Sequence, residues 1–215
     1  MRETRILVVA CGALAREIVA LTKRNGWVGV DVQCLPPELH NRPARIPEAV
    51  RREIASARGR YDRIFVAYAD CGTGGLLDAM LREEHVERLP GAHCYDFFAT
   101  RSAFAALAEE EPGTFYLTDF LVRHFERLVI AGLGIDRHPE LVEEYFRNYR
   151  RVVYLVQAHD AELVEAARGI ARRFGLEYQE RYTGYGELEA SLWSWTGSAD
   201  AVVDQRKAEP LRWRR

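Results

Sequence analysis

A chain of 215 residues is long enough for one α/β domain, and its hydrophobic content of 48% is enough to form a buried core. The formal net charge of −2 argues against a global field that attracts nucleic acid or an anionic membrane. The sequence has no run of about 18 to 20 apolar residues and no signal-peptide core, so we expect a cytoplasmic protein without a membrane span.

Strand-like and helix-like segments alternate along the first half of the chain. Short connections between them are typical of βαβ crossovers, which place neighbouring strands parallel. We therefore expect an α/β fold with a largely parallel, doubly wound sheet flanked by helices, and two similar lobes around a central cleft are the alternative. The predicted strands cover residues 5–10, 28–34, 62–68 and 88–94, and the predicted helices cover residues 13–24, 47–57 and 76–84.

The second half of the chain has a less regular pattern. Three acidic residues are predicted to cap helices: Asp119 for a helix through residue 129, Asp136 for 139–149, and Asp160 for one through 174. The predicted strands here cover residues 114–118, 151–157 and 175–180.

The domain organisation follows from the absence of repeats and low-complexity linkers. We expect one α/β domain over residues 1–215, and segment 109–113 is the candidate seam if there are two lobes. The basic concentration at about residues 197–215 is interpreted as a flexible, solvated tail, because terminal segments often lack packing partners.

Four cysteines each follow or end a predicted strand: Cys11, Cys34, Cys71 and Cys94. The carboxyl ends of parallel strands share one edge of a sheet, so residues far apart in the chain become neighbours there. In a reducing compartment, clustered thiols indicate metal binding or catalysis more often than disulfides. Separate burial of each cysteine as a small hydrophobic residue is the alternative.

The cysteine pattern favours a metal site made of Cys11, Cys71 and Cys94. Cys34 is the expected outsider, because two prolines redirect the chain directly after it. His93 adjoins Cys94 and is a further candidate ligand, although adjacent residues of a strand point to opposite sides. Thiolates suit zinc, and an iron–sulfur cluster is the alternative. The stronger signal of a Cys-x-x-Cys pair is missing.

A glycine-rich segment, Asp70-Cys-Gly-Thr-Gly-Gly75, lies between the third strand and its helix. Glycines allow a tight turn, and a helix N-terminus favours negative charge. We expect Gly72, Thr73, Gly74 and Gly75 to bind the anionic end of a small ligand or a thiol substrate. The segment is neither a P-loop nor a dinucleotide-binding fingerprint, and a plain tight turn is the alternative.

Two residues near the same edge are candidates for acid–base chemistry, namely Asp70 and His40, which lies in a proline-flanked loop. His40 is alternatively a metal ligand or a surface residue. The other histidines outside the cysteine cluster, His85, His124, His138 and His159, are predicted to be structural or exposed. Tyr116, Thr118 and Asp119 are candidates to cover the site, or otherwise serve packing and capping.

Several blocks of the sequence resemble the domain of unknown function 1638 family. The resemblance extends from about residue 5 to residue 192 and implies no assigned activity. It implies at most a role near corrinoid-dependent methyl transfer in one-carbon metabolism, with a corrinoid or methyltransferase protein as partner. The blocks are Ala10-Cys-Gly-Ala-Leu-Ala-Arg-Glu17, Leu39-His-Asn41, Asp70-Cys-Gly-Thr-Gly-Gly75, His93-Cys-Tyr95, Glu111-Pro-Gly-Thr-Phe-Tyr-Leu-Thr-Asp-Phe-Leu121 and Asp136-Arg-His-Pro-Glu140.

Three functions are compatible with these observations. The first is a zinc-thiolate enzyme or methyl-transfer accessory factor, in which His40 or a substrate thiolate takes an open fourth position on the metal. The second is a non-catalytic carrier of a metal or cofactor, with the basic tail docking a partner. The third is a metal-free enzyme with a cysteine nucleophile.

Overall fold

The computed structural model describes residues 4–196, so the basic tail lies outside the described residues. Within this range the chain forms an α/β structure with two parallel sheets flanked by helices, which confirms the predicted fold class. The strands divide between a four-stranded sheet, built before residue 89, and a three-stranded sheet, built after residue 113.

The first sheet has the order β2-β1-β3-β4, and every pairing is parallel. β1 lies between two neighbours and is buried along its whole length, as its continuous apolar run predicts. In the register Ala10 lies opposite both Cys34 and Ala67. The strands are β1 (Ile6–Cys11), β2 (Val30–Leu35), β3 (Arg63–Ala67) and the short β4 (Glu87–Arg88).

The second sheet has the order β5-β6-β7, again with parallel pairings. The central strand β6 is fully buried, whereas the edge strand β7 exposes most of its charged side chains. This charged edge disfavours pairing with another chain. The strands are β5 (Thr114–Thr118), β6 (Arg151–Val156) and β7 (Glu177–Tyr182).

The helices pack their apolar sides on the sheets. Asp160 accepts hydrogen bonds from the backbone of Glu162 and Leu163 and so caps α8, as the sequence predicts. The helices are α1 (Ala15–Arg24), α2 (Ile46–Ala57), α3 (Leu76–Glu84), α4 (Cys94–Ala99), α5 (Arg101–Glu110), α6 (Asp119–Arg123), α7 (Leu141–Phe146), α8 (Ala161–Arg173) and α9 (Leu188–Thr196). No helix among residues 4–196 combines the length and apolar character needed to cross a membrane.

Each sheet has its own hydrophobic cluster. The last helix, α9, belongs to the first cluster although it follows the last strand of the second sheet. There Trp195 stacks on Phe65 of β3, with ring centroids 4.9 Å apart. The chain therefore leaves the first sheet near residues 109–113 and returns to it at its described end.

Three local predictions are wrong. The fourth strand ends at Arg88, and Cys94 is the first residue of α4, because Pro90 and Gly91 break the extended backbone. Thr118, not Asp119, is the N-cap of α6, and its hydroxyl accepts from the backbone of Leu121. Asp136 caps no helix, since α7 begins five residues later, after Glu140.

Two further segments differ in length from the prediction. The helix expected to run from Asp119 through residue 129 ends at Arg123, and a π-helical segment (Glu126–Ala131) follows it. The last strand begins two residues later than expected, at Glu177, because Gly175 has a left-handed backbone conformation.

Candidate functional site

The carboxyl edge of the first sheet brings three cysteine segments together. Cys11 is the last residue of β1, and Cys71 follows the neighbouring strand β3. Backbone hydrogen bonds join Asp70 to Gly91 (3.1 Å) and Cys71 to Ala92 (2.8 Å), which brings the start of α4 and Cys94 to the same edge. Cys71 has a left-handed backbone (φ 52°), an uncommon conformation for a residue other than glycine.

Cys11 and Cys71 are buried, and Cys94 is half-buried. Burial is the main reason why the pKa of Cys11 rises to about 12 and that of Cys71 to about 11. Burial also raises the pKa of Cys94, and the charges of Cys71 and Cys11 would raise it further. Cys34, the expected outsider, has an exposed side chain. All three thiols are therefore protonated at neutral pH when nothing is bound to them.

His40 lies against Cys11. Both of its ring nitrogens are 3.9 Å from the Cys11 sulfur, and Nδ1 is 3.0 Å from the carbonyl oxygen of Pro37. Because a carbonyl only accepts, Nδ1 is the protonated nitrogen, which leaves the Nε2 lone pair free for a metal or a proton. The residue is exposed, as the surface alternative predicts, yet desolvation of the ring lowers the pKa of His40 and favours its neutral form.

Asp70 organises the glycine-rich segment from within. Its carboxylate accepts hydrogen bonds from the Thr73 hydroxyl (2.5 Å) and from the backbone of Gly74 (3.0 Å) and Gly75 (2.9 Å). Burial acts to raise the pKa of Asp70, but these hydrogen bonds outweigh it, and the pKa is lowered. The carboxylate thus already uses the donors that we expected for an anionic ligand.

The predicted roles of this segment change accordingly. Thr73 is buried, and its hydroxyl also accepts from the backbone of Leu77 at 3.3 Å, so it serves the start of α3. Gly72 has an exposed backbone and a positive φ of 82°. Ligand binding by Gly72, Thr73, Gly74 and Gly75, and catalysis by Asp70, stay predictions for which this geometry leaves few free groups.

His93 has a structural position at the start of α4. It is exposed and directly precedes the helix, where the Asp96 carboxylate accepts from the backbone of Ala92 (2.7 Å) and His93 (3.4 Å). Asp96 is therefore a helix-capping residue, in line with the N-terminal preference for acidic side chains. Cys94, rather than His93, has the more buried side chain of the adjacent pair.

Two residues of the site have no signal in the sequence pattern. Tyr68 directly follows β3, is fully buried, and its ring stacks with that of His40 at 6.3 Å between centroids. The Arg88 guanidinium binds both carboxylate oxygens of Asp78 (2.6 and 2.8 Å) and the carbonyl oxygens of Leu89 and Gly91. Arg88 thereby fixes the turn that leads to Cys94.

The side chains as placed do not form a ready-made metal site. Within residues 4–196, no three side chains of His, Cys, Asp or Glu are arranged so that they could hold an ion. The thiol types suit zinc, but ion binding would require a local rearrangement of side chains and loss of the thiol protons.

The remaining candidates lie away from the thiols or serve packing. His85, His138 and His159 are exposed, and His124 is half-buried. The Tyr116 ring packs against Tyr95 at 5.4 Å, and its hydroxyl has no partner in the described part of the chain. Asp119 accepts hydrogen bonds from Tyr154, Gln157 and Ala158 and so stabilises the end of the second sheet.

Fold and site together define a parallel α/β protein with a thiol-lined sheet edge. A family model described as "Protein of unknown function (DUF1638)" matches residues 34–192. The chain therefore belongs to this family, as its sequence blocks indicate. The matched segment includes His40, Cys71 and Cys94, whereas Cys11 precedes it. None of the curated proteins matches the chain.

Proposed function

We propose that this chain is a metal-binding protein that holds a thiophilic ion, zinc in preference, with Cys11, Cys71 and Cys94. The observation that carries the proposal is that one sheet edge collects two buried thiols, Cys11 and Cys71, and the half-buried thiol of Cys94. The ring nitrogens of His40 lie 3.9 Å from the first of these sulfurs. His40 Nε2, or a thiol of a substrate, would take the fourth position. A protein-bound zinc with an open position acts as a Lewis acid and activates a bound water or thiol.

Other residues of the chain orient the candidate ligands and hold their backbone segments together. The Pro37 carbonyl orients His40 through Nδ1, an arrangement common among metal-binding histidines. Cys71 and Cys94 sit on backbone segments that hydrogen bonds hold together. An iron–sulfur cluster is the second choice, because it needs more thiolates than one zinc ion.

The wider role is either catalytic or that of a carrier. A four-ligand site closed by His40 favours a non-catalytic metal or cofactor carrier, and a site open to a substrate thiol favours an enzyme. Participation in corrinoid-linked methyl transfer rests on the family resemblance alone.

Elemental analysis of protein purified anaerobically without chelators tests the proposal. We expect about one zinc per chain in a colourless preparation, whereas a brown one indicates iron–sulfur. Cys71→Ser should lose most of the metal, because serine is a poor zinc ligand at neutral pH. Cys34→Ser, at an exposed thiol of the same sheet, is the matched control and should keep it. Metal-free wild-type protein that takes up no added zinc or iron would contradict the proposal.

A metal-free cysteine enzyme is the second candidate, and the contact between Cys11 and His40 favours it. A cysteine nucleophile needs a lowered pKa, whereas burial raises that of Cys11 to about 12. Alkylation distinguishes the two functions. Metal-free protein should react at Cys34 before Cys11, and rapid modification of Cys11 at neutral pH would favour the nucleophile.

A further inference from the structure

The Tyr68 hydroxyl is a buried donor without a partner. The side chain is 0% exposed, and its hydroxyl makes no hydrogen bond to any atom of the described residues. A buried polar group left in this state costs about 1–3 kcal/mol, and native proteins rarely retain one without a reason.

A second buried tyrosine, Tyr154, is a comparison for Tyr68, because its hydroxyl does have a hydrogen-bond partner. Tyr154 is also 0% exposed, and its hydroxyl donates to the Asp119 carboxylate at 2.7 Å. Tyr68 is equally buried, within the hydrophobic cluster of the first sheet, but its hydroxyl has no such acceptor among the described residues. The difference lies in what surrounds the two hydroxyl groups.

The surroundings of Tyr68 are the thiols. The Tyr68 ring stacks with the His40 ring, whose nitrogens lie 3.9 Å from the Cys11 sulfur, so the phenol and this thiol pack against the same imidazole. Burial raises the pKa of Tyr68, and charges on Cys11 and Cys71 would raise it further. A protonated thiol is a weak acceptor, whereas a thiolate accepts a charge-assisted hydrogen bond. The Tyr68 hydroxyl is therefore a donor that is already in place while the Cys11 thiol is still protonated.

We propose that the Tyr68 hydroxyl donates a hydrogen bond to the Cys11 sulfur when that sulfur is a metal-bound thiolate, and thereby positions it and strengthens metal binding. This inference rests on the proposed function. Tyr68 is a positioning residue and touches neither the ion nor a substrate. The Ala13 backbone N–H, 3.3 Å from the same sulfur, already supplies one donor, and Tyr68 would add the second.

Zinc affinity and metal-free stability, measured on the same variants, test the inference. In Tyr68→Phe the ring is kept, so we expect a 10- to 100-fold loss of zinc affinity in competition with a chromophoric chelator. The metal-free variant should unfold at the same urea concentration as the wild type or at a higher one, because an unsatisfied hydroxyl is removed. Tyr154→Phe is the matched control and should show the reverse: lower metal-free stability with unchanged zinc affinity.

The outcomes separate this inference from the proposed function. If the wild type binds no zinc, both are overturned. If the wild type binds zinc and Tyr68→Phe binds it equally well, only the role of Tyr68 is overturned. Should Tyr68→Phe fail to fold, NMR of the wild type decides. A protected hydroxyl proton assigned to Tyr68 that appears only with zinc supports the inference, and the lack of this signal in the zinc-bound protein overturns it.

Discussion

At the scale of single residues, Asp119 shows how one buried carboxylate organises the end of a sheet. It is 5% exposed, and its two oxygens accept from the Tyr154 hydroxyl and from the backbone of Gln157 and Ala158. Its own backbone N–H donates to the side-chain oxygen of Gln157 at 2.7 Å. The carboxylate thus joins the carboxyl ends of β5 and β6.

Asp119→Asn should lower the free energy of unfolding by about 2–3 kcal/mol, because the amide cannot accept all three hydrogen bonds and leaves a buried donor unpaired. Urea unfolding followed by circular dichroism measures the loss. Asp136→Asn changes an exposed carboxylate and serves as the control, with an expected effect within about 0.5 kcal/mol. A similar small effect for Asp119→Asn would contradict the structural role.

At the scale of elements, the segment between β7 and α9 carries the chain back to the first sheet. Gly186 lies in this segment with a φ of 52°, and the next residue, Glu187, donates its backbone N–H to the Phe97 carbonyl oxygen at 2.6 Å. A Cβ atom at Gly186 would lie 2.1 Å from the Phe97 oxygen and 2.3 Å from that of Phe98. Only glycine allows this close approach to α4.

Gly186→Ala should destabilise the protein by about 2 kcal/mol or more, since steric overlap with backbone adds to the cost of a positive φ. Gly26→Ala is the matched control: its φ is 61°, but a Cβ there meets nothing within 4 Å, so only the conformational cost of about 1 kcal/mol applies. Thermal unfolding of both variants checks this. Equal losses would show that the contact with α4 contributes nothing.

At the scale of the whole molecule, charges near the second sheet act on a buried carboxyl group of a helix that packs on the first sheet. Glu17 of α1 is 6% exposed, and one of its carboxylate oxygens has no partner among the described residues. Burial raises the pKa of Glu17 above 4.5, and the charge of Asp119, the first residue of α6, raises it further. The charges of Arg16 and Arg123 lower the pKa of Glu17. The pKa of Glu17 therefore depends on charged residues of α1 and of α6.

This arrangement predicts a specific pH dependence of stability. The folded protein holds the Glu17 proton more tightly than the unfolded chain, so the stabilisation is complete below about pH 4.5 and is lost as the pH rises through the folded-state pKa. Glu17→Gln has no proton to lose. Relative to this variant, the wild type should become progressively less stable above pH 4.5, as measured by urea unfolding at several pH values. Glu177→Gln, at an exposed edge position, should follow the wild type; a wild type that matches Glu17→Gln at every pH would contradict the prediction.

The sequence by itself determined the segments whose pattern is local. The apolar runs of β1, β3 and β6 and the boundaries of α3 and β5 could be predicted, because strand and helix periodicity and capping depend on neighbours a few residues apart. The placement of Cys11 and Cys71 at strand ends followed from the same patterns. The Asp160 cap is a further example.

Only the tertiary structure decided how these segments combine. The division of the strands into two sheets, the return of α9 to the first, and the place of Cys94 on a helix depend on contacts between residues far apart in the chain. The same is true of the site: Asp70 uses its own loop's donors, and Tyr68 lies unpartnered beside the thiols. Such features depend on which polar groups lack a hydrogen-bond partner after packing. The hydrophobic periodicity of the sequence does not contain this information.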